Sequence, residues 1–272
     1  MTTVVNMGGV KIGGKAPLAL IAGPCVIESR KGCLDLARRL VELAAAEKIP
    51  LVFKASYDKA NRSSVDGFRG PGLKAGLEVL AEVRATFQVP VLTDVHRAED
   101  VPAVAAVVDV LQIPAFLCRQ TDLLIAAGES GKVVNVKKGQ FLAPWDMKHV
   151  IGKVLSTGNR SIILTERGST FGYNNLVADM RSLLEMRELG YPVVFDATHS
   201  VQRPGGGGNY TAGDGKWAPY LARAAVAAGC DGVFIETHVY PAKALSDKEN
   251  AVPFQKMRAL WRQLRGIDDL VG

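Results

Sequence analysis

The sequence predicts an α/β fold of the (β/α)8 kind, a parallel TIM barrel with a short N-terminal β-hairpin. Three observations carry that prediction. Eight short apolar runs recur along the 272 residues. Segments of helical periodicity separate them, as βαβ units require. Each of the eight runs acquires a polar, chemically capable residue at or near its C-terminal end, where such a barrel builds its site.

The elements follow in order. Residues 1–14 alternate weakly around Gly8-Gly9 and predict a small hairpin plugging the N-terminal mouth of the barrel. LALIAGPC (18–25) is the first run and ends on Cys25. Like the others it is a continuous apolar stretch, the mark of a parallel strand covered by helices on both faces. LDLARRLVELAAAEK (34–48) spaces its apolar residues three and four apart, one face of a helix. PLVFKAS (50–56) carries Lys54, and a long loop, 54–72, leads to the helix LKAGLEVLAEVRATF (73–87). VPVLTDV (89–95) carries Asp94 ahead of AEDVPAVAAVV (98–108). VDVLQIP (108–114) carries Gln112 ahead of TDLLIAAGES (121–130). VVNVKKG (133–139) supplies Lys137 before PWDMKHVIGKVLS (144–156), and SIILTERG (161–168) supplies Arg167 before LVADMRSLLEMREL (176–189). PVVFDATHS (192–200) delivers His199. The loop after it, 200–215, contains PGGGGNYTAGDG and is too glycine-rich for a fixed fold of its own. It reads either as a mobile lid or as a plain connection. KWAPYLARAAVAAG (216–229), GVFIETH (232–238) with Glu236, and FQKMRALWRQLRGI (254–267) complete the eighth unit. No linker separates a second domain, so 1–272 reads as one.

Composition narrows the function. A hydrophobic share of 48% is ample for one core. No apolar run is long enough to span a bilayer, and MTTVVNMGG lacks the regions of a signal peptide. Cys25, Cys33, Cys118 and Cys230 show neither metal-knuckle spacing nor a dense disulfide pattern. A reducing cytoplasm is the simplest setting. The net charge of +6 is scattered through amphipathic segments, which argues against nucleic-acid binding and is compatible with small anionic substrates.

The densest chemistry lies in KASYDKANRSS (54–64). Lys54, Lys59 and Arg62 supply cations, and Asn61, Ser63 and Ser64 supply neutral donors. A phosphate or carboxylate taken out of water needs such convergent donors. A solvated loop is the alternative, and the position at a strand end favours an anion site. Lys137 and Arg167 at the ends of two later strands add more positive charge than a barrel mouth would hold unpaired. Arg119, in FLCRQTD, suggests a second anionic group. Cys25, His199, Glu236 and Asp247 are donors of the kinds that hold divalent transition metals. On the residues alone, a small core cysteine and a hydrogen-bonded histidine remain open readings.

Taken together, AGPCVIES, FKASYDKANRSS, GFRGPGL, LTDVH, QIPAFLCRQTDLL, NVKKGQF, LTERGSTFGYNNLVADMRSL, FDATHSVQ and GVFIETH closely resemble the 3-deoxy-D-manno-octulosonate 8-phosphate synthases. The resemblance runs from about residue 18 to 265. KANRSS is its most specific piece, since the related heptulosonate synthases carry a Lys-Pro-Arg-Thr-Ser type motif there. The resemblance implies condensation of phosphoenolpyruvate with arabinose 5-phosphate and water, releasing phosphate, a step of lipopolysaccharide sugar biosynthesis. It implies that Lys54 and Lys59 hold the phosphoenolpyruvate carboxylate, and Lys137 and Arg167 its phosphate. Asn61, Arg62, Ser63 and Asp94 would hold the sugar phosphate, with Gln112 and Gln202 lining the pocket. His199, Lys59, Asp94 and Asn61 would be the catalytic group. Arg119 would reach the sugar phosphate of a neighbouring subunit, which implies a homotetramer. The chain resembles the metal-dependent class, with Cys25, His199, Glu236 and Asp247 holding zinc, iron, manganese or cobalt. The metal-free class has Asn in place of Cys25. One departure is that metal-dependent relatives commonly read THPEPEKALSD where this chain reads THVYPAKALSD, although Asp247 keeps its ALSD context.

Two other functions fit the same barrel less well. A Schiff-base aldolase would use Lys54 or Lys137 as nucleophile. A non-catalytic sugar-phosphate sensor would bind ligand without releasing phosphate.

Overall fold

The structure, a computed structural model, describes residues 1–207 and 211–271. Strands β1 (Val5–Met7) and β2 (Val10–Ile12) open the chain, followed by β3 (Ala19–Gly23), α1 (Arg30–Glu47), β4 (Leu51–Lys54) and α2 (Leu73–Phe87). Next come β5 (Val91–Asp94), α3 (Val101–Ala105), β6 (Val110–Ile113), α4 (Thr121–Glu129), β7 (Val133–Lys137), α5 (Met147–Leu155) and β8 (Ile162–Glu166). The short strands β9 (Ser169–Thr170) and β10 (Leu176–Val177) precede α6 (Arg181–Glu188), β11 (Val193–Asp196), β12 (Gln202–Arg203) and β13 (Ala212–Gly213). Last are α7 (Ala218–Ala228), β14 (Gly232–His238), β15 (Val252–Pro253) and α8 (Phe254–Val271).

Eight parallel strands close in the order β3-β4-β5-β6-β7-β8-β11-β14, with β14 pairing back onto β3 and β11 onto β14. Each coincides with one of the eight apolar runs. The pleat divides every run between two cores, because successive side chains point to opposite faces. Leu20 and Ala22 of β3 face the helices and belong to the outer core, while Ala19 and Ile21 face the barrel interior. The interior core continues through Val52, Leu92, Val110, Val133, Ile163, Val194 and Phe234.

The same period of two builds the site. Two residues beyond each interior apolar side chain stands the next inward position, and there the sequence turns polar: Lys54, Asp94, Gln112, Asn135, Thr165, Asp196 and Glu236. Two further along lie Lys137 and Arg167; on β3 the two steps give Gly23 and then Cys25. The barrel is therefore apolar at its N-terminal end and polar at its C-terminal end. The predicted hairpin forms, turning at Gly8 and Gly9, both at positive φ. Its Val5, Met7 and Ile12 are buried on the interior core, so it closes the apolar end.

Two expectations need correction. The helix expected over 176–189 starts only at Arg181, because Leu176 and Val177 pair with Thr170 and Ser169 in a small antiparallel ribbon. Loop 200–215 is not without structure of its own. Gln202 and Arg203 pair with Gly213 and Ala212 across it, and Arg203 bonds Asp214 at 2.7 Å. A short ribbon needs only a few backbone bonds, which the glycines permit. Residues 208–210 of that loop lie outside the described residues.

Candidate active site

The loops at the polar end surround a cavity of about 1100 Å³, slightly above the usual range for small-molecule sites. Lys54, Lys59, Asn61, Arg62, Ser63 and Asp94 line one side. Gln112, Lys137, Arg167, His199, Gln202 and Asp247 line the rest. Cys25 and Glu236 lie beneath that lining, 7% and 1% exposed. Arg119 is exposed and outside the cavity of its own chain; its carbonyl accepts from Lys153 Nζ at 2.7 Å.

The floor is a cluster of opposite charges. Strand β3 ends at Gly23, just before Pro24-Cys25, and is pressed against β4 so closely that a Cβ on Gly23 would lie 1.9 Å from the Lys54 carbonyl oxygen. Only glycine allows that approach. Lys54 Nζ donates to the Cys25 carbonyl at 2.8 Å and to Glu236 Oε1 at 2.9 Å. Lys59 Nζ stands 3.7 Å from the same oxygen. Burial raises the cost of ionising Glu236, but His199, Lys54, Lys59 and Lys137 outweigh it and hold its carboxyl well below the usual range. Burial likewise opposes charge on Lys59, and the neighbouring carboxylates of Glu236, Asp94 and Asp247 outweigh it, so its ammonium is held well above the usual value.

Three of the four candidate metal ligands meet. Cys25, Glu236 and Asp247 offer donor atoms that all lie within 4.8 Å of one another. Cys25 Sγ donates to Asp247 Oδ2 at 2.9 Å and lies 2.8 Å from Ser246 Oγ. Burial, together with Asp247 and Glu236, pushes the Cys25 thiol up. Glu236 Oε2 is buried with no hydrogen-bond partner, an oxygen that a cation would satisfy. His199 stands at the edge of the trio, its Nε2 3.4 Å from Glu236 Oε1. Its Nδ1 lies 2.7 Å from Asp196 Oδ2, and its backbone N–H donates to Asp196 Oδ1 at 2.9 Å. That partner fixes Nδ1 as the protonated nitrogen and leaves Nε2 facing the carboxylates, the arrangement common in metal-binding histidines. The residues therefore fit a divalent cation.

Elsewhere the cavity wall is cationic. Lys137 Nζ bonds Asp196 Oδ2 at 2.6 Å and sits 4.0 Å from the centroid of the Phe234 ring. Burial pulls its pKa down, and Asp196 and Asp94 pull against it without cancelling it. Arg167 donates through Nη2 to Gln202 Oε1 at 2.6 Å, while its Nη1 is buried without a partner. Gln202 passes the contact on to Asp247 Oδ1 at 3.3 Å. Across the cavity, Arg62 Nε donates to the Phe68 carbonyl at 2.8 Å, and its Nη2 is buried without a partner. Buried guanidinium N–H groups left unpaired are costly, and an anion relieves that cost.

A sequence model described as the DAHP synthetase I family matches residues 1–271. The chain belongs to that family. Among its relatives are proteins of Geobacter sp. strain M21 and Citrifermentans bemidjiense, each 60% identical over 271 residues, covering 100% of this chain and 99% of the relative. A protein of Geobacter metallireducens is 59% identical and covers both chains in full. All three are named 2-dehydro-3-deoxyphosphooctonate aldolase.

Within this member of the DAHP synthetase I family, sequence reasoning overlooked several residues of the site. Asp196 joins Lys137 to His199. Ser246 touches both Cys25 and Asp247. Ser56, Asn135 and Thr165 belong to the network around Asp94 and Gln112. Asn135, Thr165 and Asp196 stand at inward positions of their strands, and Ser56 falls two residues past Lys54, the end of β4. Counting in twos along each apolar run would have found them.

Proposed function

We propose that this chain condenses phosphoenolpyruvate with D-arabinose 5-phosphate and water, giving 3-deoxy-D-manno-octulosonate 8-phosphate and phosphate. One observation carries the reading. Arg62 follows β4 and Arg167 follows β8, strands four places apart in a ring of eight; both residues line one cavity, and each keeps a buried guanidinium nitrogen without a partner. Two anion seats on opposite walls suit a reaction that joins two phosphorylated substrates. The names of the relatives and the KANRSS motif support arabinose 5-phosphate as the second substrate.

In this reading Lys137 and Arg167 seat the phosphoenolpyruvate phosphate, and Lys59, with Lys54 behind it, faces the carboxylate. Asn61, Arg62 and Ser63 hold the sugar phosphate, and Asp94 accepts from a sugar hydroxyl. The two seats convert an encounter of two solutes into an approach of carbon 3 to the aldehyde carbon, the entropic part of the rate. As that bond forms, the aldehyde oxygen gains negative charge, and the Lys59 ammonium donates to it. Positive charge develops at carbon 2, where water adds and phosphate then leaves. Gln112 lines the pocket, and Gln202 holds Arg167 against the Asp247 segment.

Cys25, His199, Glu236 and Asp247 would hold a divalent transition metal. A thiolate among the donors suits zinc, iron, manganese or cobalt more than magnesium. When bound, such an ion supplies Lewis acidity or a water of lowered pKa at this floor. A homotetramer accords with Arg119 lying outside its own cavity, and with the exposed Phe116, Phe141 and Trp145 on the neighbouring loops. No helix among the described residues is long and apolar enough to cross a membrane, and the four cysteines are free and buried, as a reducing cytoplasm allows.

The test is to measure phosphate release with each substrate alone and with both, and to repeat the reaction with borohydride. Release that needs both substrates, with no lysine adduct in the mass spectrum, is the expected result. A borohydride-trapped adduct on Lys54 or Lys137 would replace this reading with a Schiff-base aldolase.

A further inference from the structure

Asp94, Gln112 and Asn135 are register partners on the adjacent strands β5, β6 and β7. Thr165 on β8 lies two residues beyond Ile163, the partner of Asn135, so it points to the same side. All four are buried, and only Asp94 and Gln112 line the cavity. They form one chain of hydrogen bonds. Thr165 Oγ1 donates to Asn135 Oδ1 at 2.7 Å, Asn135 Nδ2 donates to Gln112 Oε1 at 3.0 Å, and Gln112 Nε2 donates to Asp94 Oδ1 at 2.5 Å. Ser56 Oγ donates to the other oxygen of Asp94.

The direction of this chain follows from charge. Burial opposes ionisation of Asp94, but Lys54, Lys59, Lys137 and His96 outweigh it and keep the carboxyl well below its usual pKa. An ionised carboxylate only accepts. Gln112 must therefore turn its amide nitrogen to Asp94 and its oxygen to Asn135. Asn135 must in turn donate to Gln112 and accept from Thr165. The polarity of an amide that touches the substrate cavity is thus held by two side chains that do not. A carboxylate has about four acceptor positions; Gln112 and Ser56 take one on each oxygen, which leaves acceptor positions on Asp94 for a ligand.

We propose that Asn135 and Thr165 are positioning residues that hold the Gln112 amide and the Asp94 carboxylate oriented to accept a hydroxyl of the aldose phosphate. This rests on the reading of the cavity as the seat of arabinose 5-phosphate. The phosphate of phosphoenolpyruvate is held in that reading by Lys137 and Arg167, whose side-chain hydrogen bonds go to Asp196 and Gln202 rather than to the relay. Loss of the relay should therefore separate the two substrates, which a general loss of structure would not do.

Asn135→Asp keeps the shape and inverts the polarity. A carboxylate at 135 draws the Gln112 nitrogen toward itself and turns the amide oxygen toward Asp94. Thr165→Val removes only the terminal donor, and Thr165→Ser restores it. Binding of arabinose 5-phosphate and of phosphoenolpyruvate is measured by calorimetry on the full chain, alongside both KM values. The wild type must first bind arabinose 5-phosphate; if it does not, the reading of the cavity fails before any variant is judged. The proposal expects Asn135→Asp to weaken arabinose 5-phosphate at least about tenfold and Thr165→Val about three- to tenfold. Thr165→Ser should match the wild type, and phosphoenolpyruvate binding should stay within about twofold throughout. Equal losses for the two substrates, or a Thr165→Val protein that binds the sugar phosphate like the wild type, would overturn it. If Asn135→Asp does not fold, the two Thr165 variants decide alone.

Discussion

Glu236 ties together the two kinds of chemistry in this site. One oxygen is claimed by Lys54 and faced by Lys59 and His199, and the other has no partner. Glu236 belongs to the same small cluster as Cys25 and Asp247, so the residue balances the lysines and offers a ligand at once. The most specific consequence concerns Cys25. Burial and the neighbouring carboxylates push its thiol up, and a metal must displace that proton to bind. Apparent metal affinity should therefore rise with pH, by about tenfold per unit between pH 6 and 8 for one proton released, in a chelator-competition titration. Cys25→Ala should lose the metal and flatten that dependence while its thermal midpoint, measured without metal, stays within a few degrees. Cys25→Asn should keep some chelator-resistant activity. Tight binding with an unchanged pH slope in Cys25→Ala would remove Cys25 from the ligand set. Cys25, His199 and Glu236 were legible because each is a polar residue closing an apolar run, and Asp247 was legible through its ALSD context. Asp196 and Ser246 were not, because they act by orienting neighbours, and orientation leaves no mark on composition.

At the scale of elements, the eight strands and most helices were legible because burial on both faces demands long apolar runs and the helices need one apolar stripe. The ribbons at 169–177 and 202–213 were missed for a physical reason. Two-residue strands are held by backbone bonds alone, and backbone bonds do not select side chains. The helices carry their own testable feature. Cys33 on α1 and Cys230 after α7 are free and buried, and burial pushes both thiols up to about 12 from 9.0. Between those values the unfolded chain gives up these protons while the folded chain keeps them, so the unfolded state binds fewer protons and stability falls as pH rises. Below pH 9 the two thiols contribute no slope. Above it each should cost about 1.4 kcal/mol per pH unit. Urea unfolding of the wild type and of Cys33→Ala with Cys230→Ala, compared at pH 8 and pH 10.5, should show a smaller alkaline loss in the variant. Equal losses would mean that the thiols ionise in the folded protein.

The whole molecule is a barrel with an apolar plug at one end and a cation-lined cavity at the other. Its cations were legible as a surplus at strand ends, but which of them share one cavity was not, because closure of the ring is set by pairing between β14 and β3 rather than by any local segment. Arg119 points beyond the single chain. If it serves a neighbouring subunit, Arg119→Ala should raise the KM for the sugar phosphate about tenfold or more, the loss of one charge-assisted contact of roughly 1.5–3 kcal/mol, with the KM for phosphoenolpyruvate little changed. Dilution to monomer should abolish activity, and a fully active monomer in analytical ultracentrifugation would contradict the shared site. The proposed selection of phosphoenolpyruvate and a five-carbon aldose phosphate can be read in one experiment. Phosphate release from phosphoenolpyruvate should be measured with arabinose 5-phosphate and with erythrose 4-phosphate at equal concentrations. Release should be far faster with arabinose 5-phosphate, and faster release with the four-carbon sugar would contradict that selection.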